Sequence, residues 1–165
     1  MQLSGIGKWY RRITINIQGP NGLTAFRLVL LDDGHPGYII NQYIYYLVCM
    51  KETSQQKLDQ SVRALEHLYA YTLARYSQGT LTAGAQQSLV GGFIDAKKHG
   101  TDEYCTTDMP HLQYLKGLGL NWKKIPNNST IKRYVTAIND FDKWQATFHD
   151  APRLNPSENR FLNAW

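Results

Sequence analysis

A chain of 165 residues is long enough for one domain with a sizeable core, or for a small domain with an appendage. A net charge of +5 and a pI near 9.2 suit a polyanionic partner, although only 19% of the residues are charged and they form no single run. Two cysteines, Cys49 in an apolar run and Cys105 in a polar one, exclude a disulfide scaffold and a CxxC metal site; with no apolar run of membrane-span length and no leader pattern, the expected setting is a reducing cytoplasm.

Residues 8 to 18 alternate, Ile13, Ile15 and Ile17 on one face against Arg12, Thr14, Asn16 and Gln18, which is strand periodicity. Gly19-Pro20-Asn21-Gly22 is turn chemistry, and Leu23 to Leu31 supplies a second run closed by Asp32-Asp33-Gly34, so residues 1–37 are expected to form a β-hairpin extension. Lys8, Arg11, Arg12 and Arg27 suit either a DNA-touching arm or a structural edge piece.

After Pro36-Gly37, Tyr38 to Met50 is apolar almost all round. Ile39, Ile40, Tyr43, Ile44, Leu47 and Val48 are spaced for a helix, with a strand as the alternative. So apolar a helix either lies deep in the domain or meets another copy of the chain. A second helix starts at Thr53-Ser54, turns Val62, Leu65, Leu68, Tyr69, Leu73 and Tyr76 inward, and stops at Gly79. Its opening turns carry Ser54, Gln55, Gln56, Lys57, Gln60 and Arg63, either a solvated face or a binding one.

A third helix is expected from about Ala85 to His99, with Leu89, Val90, Phe93 and Ile94 inward and Gly100 as its end. Lys97 and Lys98 in its last turn are explained by the helix dipole. Gly91-Gly92 in its interior points to another backbone crossing closely. Residues 101 to 127 exceed an ordinary connection and hold Leu112, Leu115, Leu118 and Leu120, so a short extra helix is expected there, followed by Lys123-Lys124.

The last helix is the best marked. Ile131, Tyr134, Val135, Ile138, Phe141, Trp144 and Phe148 draw one buried stripe over roughly five turns, Asn128 or Ser129 is the expected cap, and Pro126 ends the preceding loop. Lys132 and Arg133 are then expected in the first turn, where the helix dipole disfavours cations. Either they are simply solvated, or an anion such as a DNA phosphate docks there with the Ser129 and Thr130 hydroxyls. The tail 151–165, with Pro152 and Pro156, reads as the start of a linker.

Nothing in the pattern marks catalysis. His35, His67, His99, His111 and His149 are dispersed without an HxxxH or HExxH pair, no GxSxG or GxxxxGK[ST] occurs, and Asp140 and Asp142 diverge on a helix. No catalytic residue, metal site, cofactor or small-molecule ligand is expected.

The order of elements carries a resemblance. It runs from the Tyr-rich helix, through the long helix opening Thr53-Ser54-Gln55-Gln56-Lys57 and the helix with Phe93-Ile94 ending at Gly100, to Ser129-Thr130-Ile131-Lys132-Arg133-Tyr134 with Phe141 and Trp144. Over roughly residues 38 to 150 the chain resembles the N-terminal core-binding domain of tyrosine recombinases, the phage-integrase family.

The resemblance implies a mainly α fold, a four- to five-helix core-binding (SAM-like) bundle over residues 38–150, preceded here by the hairpin and followed by a linker to a separate catalytic domain. It implies double-stranded DNA and neighbouring protomers as partners. DNA contact is expected from the starts of the second and fourth helices, matched here by Ser54, Gln55, Gln56 and Lys57 and by Ser129, Thr130, Lys132 and Arg133; the basic pattern adds Arg63, Lys123 and Lys124. The catalytic residues of that family fall in the separate domain, so strand exchange is not expected of this chain alone. The rival readings are a helical protein–protein interaction module and a stand-alone DNA-binding regulator.

Overall fold

The computed structural model describes residues 10–19, 22–31, 38–51, 53–76, 89–101, 110–117, 120–151 and 154. Outside them lie Lys8, the turns at Pro20-Asn21 and Asp32 to Gly37, Gly79, Ala85, Cys105, Leu118 and the tail past residue 154, with the expectations attached to each.

Among the described residues the fold is mainly helical, with five helices: α1 (Tyr38–Cys49), α2 (Gln55–Tyr76), α3 (Leu89–His99), α4 (Pro110–Gly117) and α5 (Asn128–His149). No described helix is long and apolar enough to cross a membrane.

α2 is the central element and packs against each of the other four helices. Its start follows from Ser54, whose Oγ accepts the Lys57 N–H at 3.4 Å while its carbonyl accepts the Leu58 N–H at 2.9 Å. Leu58, Val62, Leu65 and Leu68 then fall on one buried stripe, which meets Ile131, Val135 and Ile138 of α5 in the shared core. α1 is a helix, with Ile40, Tyr43, Ile44, Leu47 and Val48 buried and Ile39 and Tyr45 left outside. The Tyr43 ring meets Phe141 edge-on at 5.2 Å and Trp144 at 5.1 Å, which joins α1 to α5.

α3 ends where expected: Gly100 takes the left-handed conformation at φ 79 and its N–H bonds the Ala96 carbonyl. α4 is the expected short helix, burying Leu112 and Leu115. The extended segment after it is clasped to the end of α3. The Thr101 N–H bonds the Trp122 carbonyl at 2.8 Å, the Thr101 hydroxyl donates to the Leu120 carbonyl and accepts from the Trp122 N–H, and the Ile125 N–H bonds the Lys97 carbonyl. Beyond α5 the chain stays attached, because the fully buried Asp142 carboxylate accepts both the Leu154 N–H at 2.7 Å and the Gln145 amide.

Three expectations are corrected. The cap of α5 is Asn127, not Asn128 or Ser129: its Oδ1 accepts the Ser129 N–H at 2.8 Å. Phe148 does not continue the buried stripe; it is 62% exposed, because the core has ended a turn earlier at Trp144. The close approach at Gly92 comes from a side chain and not a backbone, since a Cβ there would collide with the Tyr71 hydroxyl from α2.

Candidate nucleic-acid interface

The buried stripes of α2 and α5 leave their flanking polar residues along the outer edge of one seam. Residues three and four apart share a helix face, so Gln56, Gln60 and Arg63 rise from α2 beside Thr130, Arg133 and Tyr134 from α5, lining a depression of about 280 Å³ together with Asp59. An adjoining depression of about 180 Å³ shares Gln60 and Arg133 with the first and adds Lys57, Lys132, Thr136 and Asp140. Four cations thus stand over the seam against two carboxylates.

Of the residues expected from sequence, Gln56, Lys57, Arg63, Thr130, Lys132 and Arg133 are brought together here. Ser54 instead caps α2, and Gln55 donates its amide to Asp59 Oδ1 at 3.1 Å. Ser129 sits exposed at the α5 cap, and Lys123 and Lys124 are exposed on the segment leading into α5, outside both depressions.

The start of α5 is closed rather than open to an anion. Asn127 supplies acceptors for three of the first backbone donors: its side chain takes the Ser129 N–H, and its carbonyl is shared by the N–H groups of Thr130 and Ile131 at 3.1 and 3.2 Å. With helix residues beginning at Asn128, Lys132 and Arg133 fall in the second turn, past the reach of the dipole. The expectation of a phosphate on the helix terminus is therefore corrected: any anion at this seam meets the helix flanks and their cations, not the backbone donors.

Behind the seam lies a group whose place in the sequence suggested nothing beyond the helix dipole. Lys97 is not a solvated last-turn lysine but is 2% exposed. Its Nζ touches His67 Nδ1 and lies 3.9 Å from the Trp122 ring centroid and 5.1 Å from that of Tyr134, while His67 stacks on Trp122 at 5.3 Å. Burial, and to a lesser degree the positive charge of Arg63, pushes the Lys97 ammonium down to about 7. Burial raises the Tyr134 hydroxyl, with Arg63 opposing and Glu66 adding to the rise. Arg63 and Tyr134 thus belong to both the seam and this cluster.

The signal for Lys97 is its phase: it follows Phe93 by four residues and Val90 by seven, on the buried stripe of α3. Asp59, Thr136 and Tyr134 are other seam residues that sequence reasoning does not single out as sites. Among the described residues, no three histidine, cysteine or carboxylate side chains gather as a metal-ligand set. Comparison of the chain with protein-family models, with curated proteins and with solved structures gives no match in any of the three.

Proposed function

We propose that this chain is the DNA-binding, core-site-recognising domain of a site-specific tyrosine recombinase or integrase of a mobile element, a core-binding (SAM-like) bundle carrying an N-terminal hairpin extension and acting on double-stranded DNA in a bacterial cytoplasm. The observation that supports it is the seam, where Gln56, Lys57 and Arg63 of α2 and Thr130, Lys132 and Arg133 of α5, far apart in sequence, line one surface. Cations there neutralise phosphates, and the amides and hydroxyl between them are suited to base edges or sugar–phosphate oxygens. Strand breakage and rejoining belong, in this reading, to a separate catalytic domain.

Titration of labelled duplex DNA with the full chain at several salt concentrations tests the reading. Four neutralised phosphates predict a log–log salt slope of about −3 to −4. Absence of binding at about 50 mM salt overturns it.

The outer stripe of α1 carries Ile39 and Tyr45, with Met50 just beyond, all exposed. In the recombinase reading this stripe meets a neighbouring protomer on DNA. A second reading takes the same stripe as the docking surface of a helical interaction module, with the seam cations incidental; it requires duplex binding to be absent while a protein complex forms.

A further inference from the structure

A further depression of about 470 Å³, sharing Lys57 and Asp140 with the edge of the seam, opens where the end of α1, the start of α2 and the last turns of α5 meet. Its volume lies within the range of about 300–1,000 Å³ usual for ligand sites. The wall is aromatic: Tyr46, Trp144 and Phe148 form a triangle of rings with centroids 5.7 to 6.1 Å apart, and Tyr43 closes the inner side against Trp144. Phe148 breaks the burial pattern of its helix, being a large apolar ring 62% exposed beside this opening. The rim is cationic, with Lys51 6.0 Å from the Tyr46 ring centroid and Lys57 and Lys143 opposite the single carboxylate of Asp140.

We propose that this cavity holds an unpaired base of single-stranded DNA, stacked on the exposed Phe148 ring with Tyr46 meeting it at a tilt, and with the flanking phosphates on Lys51 and Lys143. Aromatic faces beside ammonium groups are the combination by which single strands are held without a duplex: every base offers a π-face and every linkage an anion. A duplex buries its bases in the stack and cannot use the rings. An acidic peptide would satisfy the lysines but leave the exposed Phe148 face without a planar partner to stack on it, so charge and ring chemistry together favour the nucleic acid. Asp140 adds a preference. Its carboxylate accepts a hydrogen bond from the N4 amino group of cytosine, whereas thymine presents the O4 acceptor there and is repelled. The inference goes beyond duplex recognition at the α2–α5 seam and stands without it.

The test is fluorescence anisotropy on the full chain with labelled oligo(dC) and oligo(dT) of about 12 nucleotides, and with a duplex. Oligo(dC) should bind more tightly than oligo(dT), and Asp140→Asn should narrow the gap. Phe148→Ala and Lys143→Ala should each weaken oligo(dC) binding about tenfold and leave duplex binding unchanged. Lys132→Ala should do the reverse. Phe148 is exposed enough for its truncation to spare the core, and unchanged melting of each variant checks this. Saturable oligo(dC) binding that Phe148→Ala does not weaken overturns the proposal, as does no oligo(dC) binding at low salt. A mixed Glu/Tyr polypeptide that binds more tightly than oligo(dC), and whose binding Phe148→Ala abolishes, also overturns it and assigns the cavity to a protein partner. Absence of duplex binding with oligo(dC) binding retained removes the recombinase reading of the seam and supports this one.

Discussion

Lys97 sets burial against charge within one side chain. Its ammonium is taken out of water, while the ring faces of Trp122 and Tyr134 and the His67 nitrogen favour keeping it charged. Desolvation prevails and holds the group near 7, against an ordinary value of 10.5. Between those values the unfolded chain binds a proton that the folded chain does not, so folding stability rises with pH across that window and is flat below it. The slope is at most about 1.4 kcal/mol per pH unit. Lys97→Met should abolish this increment and leave the fold at least as stable at neutral pH; denaturant titrations of both proteins from pH 6 to about 9 measure the difference, and parallel profiles would refute the assignment. Gly92 makes the second residue-scale case. An added Cβ meets the Tyr71 hydroxyl, and Tyr71 is 5% exposed, edge-on to Phe93, with little room to move. Gly92→Ala gains up to about 1 kcal/mol of helix propensity but should lose about 1–3 kcal/mol to overpacking, so a raised melting temperature would contradict it. The sequence marks the Gly91-Gly92 pair as a crossing point, but a tyrosine on another helix is not legible from the glycine. Lys97 is legible through its spacing, yet a lysine at a helix end already has a sufficient local explanation, which hides its burial.

At the scale of elements, the order of helices and most of their buried stripes can be read from the 3.6-residue period, while their phase at the ends cannot. Asn127, Asn128 and Ser129 are all good cap residues, and composition does not choose among three neighbours. The choice has consequences: capping by Asn127 closes the terminal donors and puts Lys132 and Arg133 a turn into the helix. Asn127→Ala should cost about 1 kcal/mol of stability, whereas Ser129→Ala, which removes an exposed hydroxyl and no backbone donor, should stay within a few tenths. Comparable destabilisation in thermal melts of the two variants would return the cap to Ser129. Phe148 misleads for a related reason: a periodic apolar position continues the stripe on paper, but burial also requires a neighbour, and past Trp144 the facing elements give way to an open cavity.

At the scale of the whole molecule, the seam depends on which helices lie side by side, and periodicity carries no such information. The sequence supplies two basic, amide-rich stretches; only the packing of α2 along α5 puts Gln56, Lys57, Arg63, Lys132 and Arg133 on one surface and leaves Lys123, Lys124 and Ser129 outside its depressions. That placement separates a binding role for the cations from a structural one. Lys132 and Arg133 are exposed, past the dipole-sensitive first turn, so replacing both with alanine should leave the melting temperature nearly unchanged. Binding to duplex DNA of any sequence should weaken, and the salt slope should flatten by about one unit for each phosphate that is no longer neutralised. A structural role demands the opposite pairing, with lower stability and unchanged affinity per folded molecule. Melts and salt-titrated binding on the one double variant therefore decide between them, and a clear fall in melting temperature at constant affinity would remove the seam as a DNA surface.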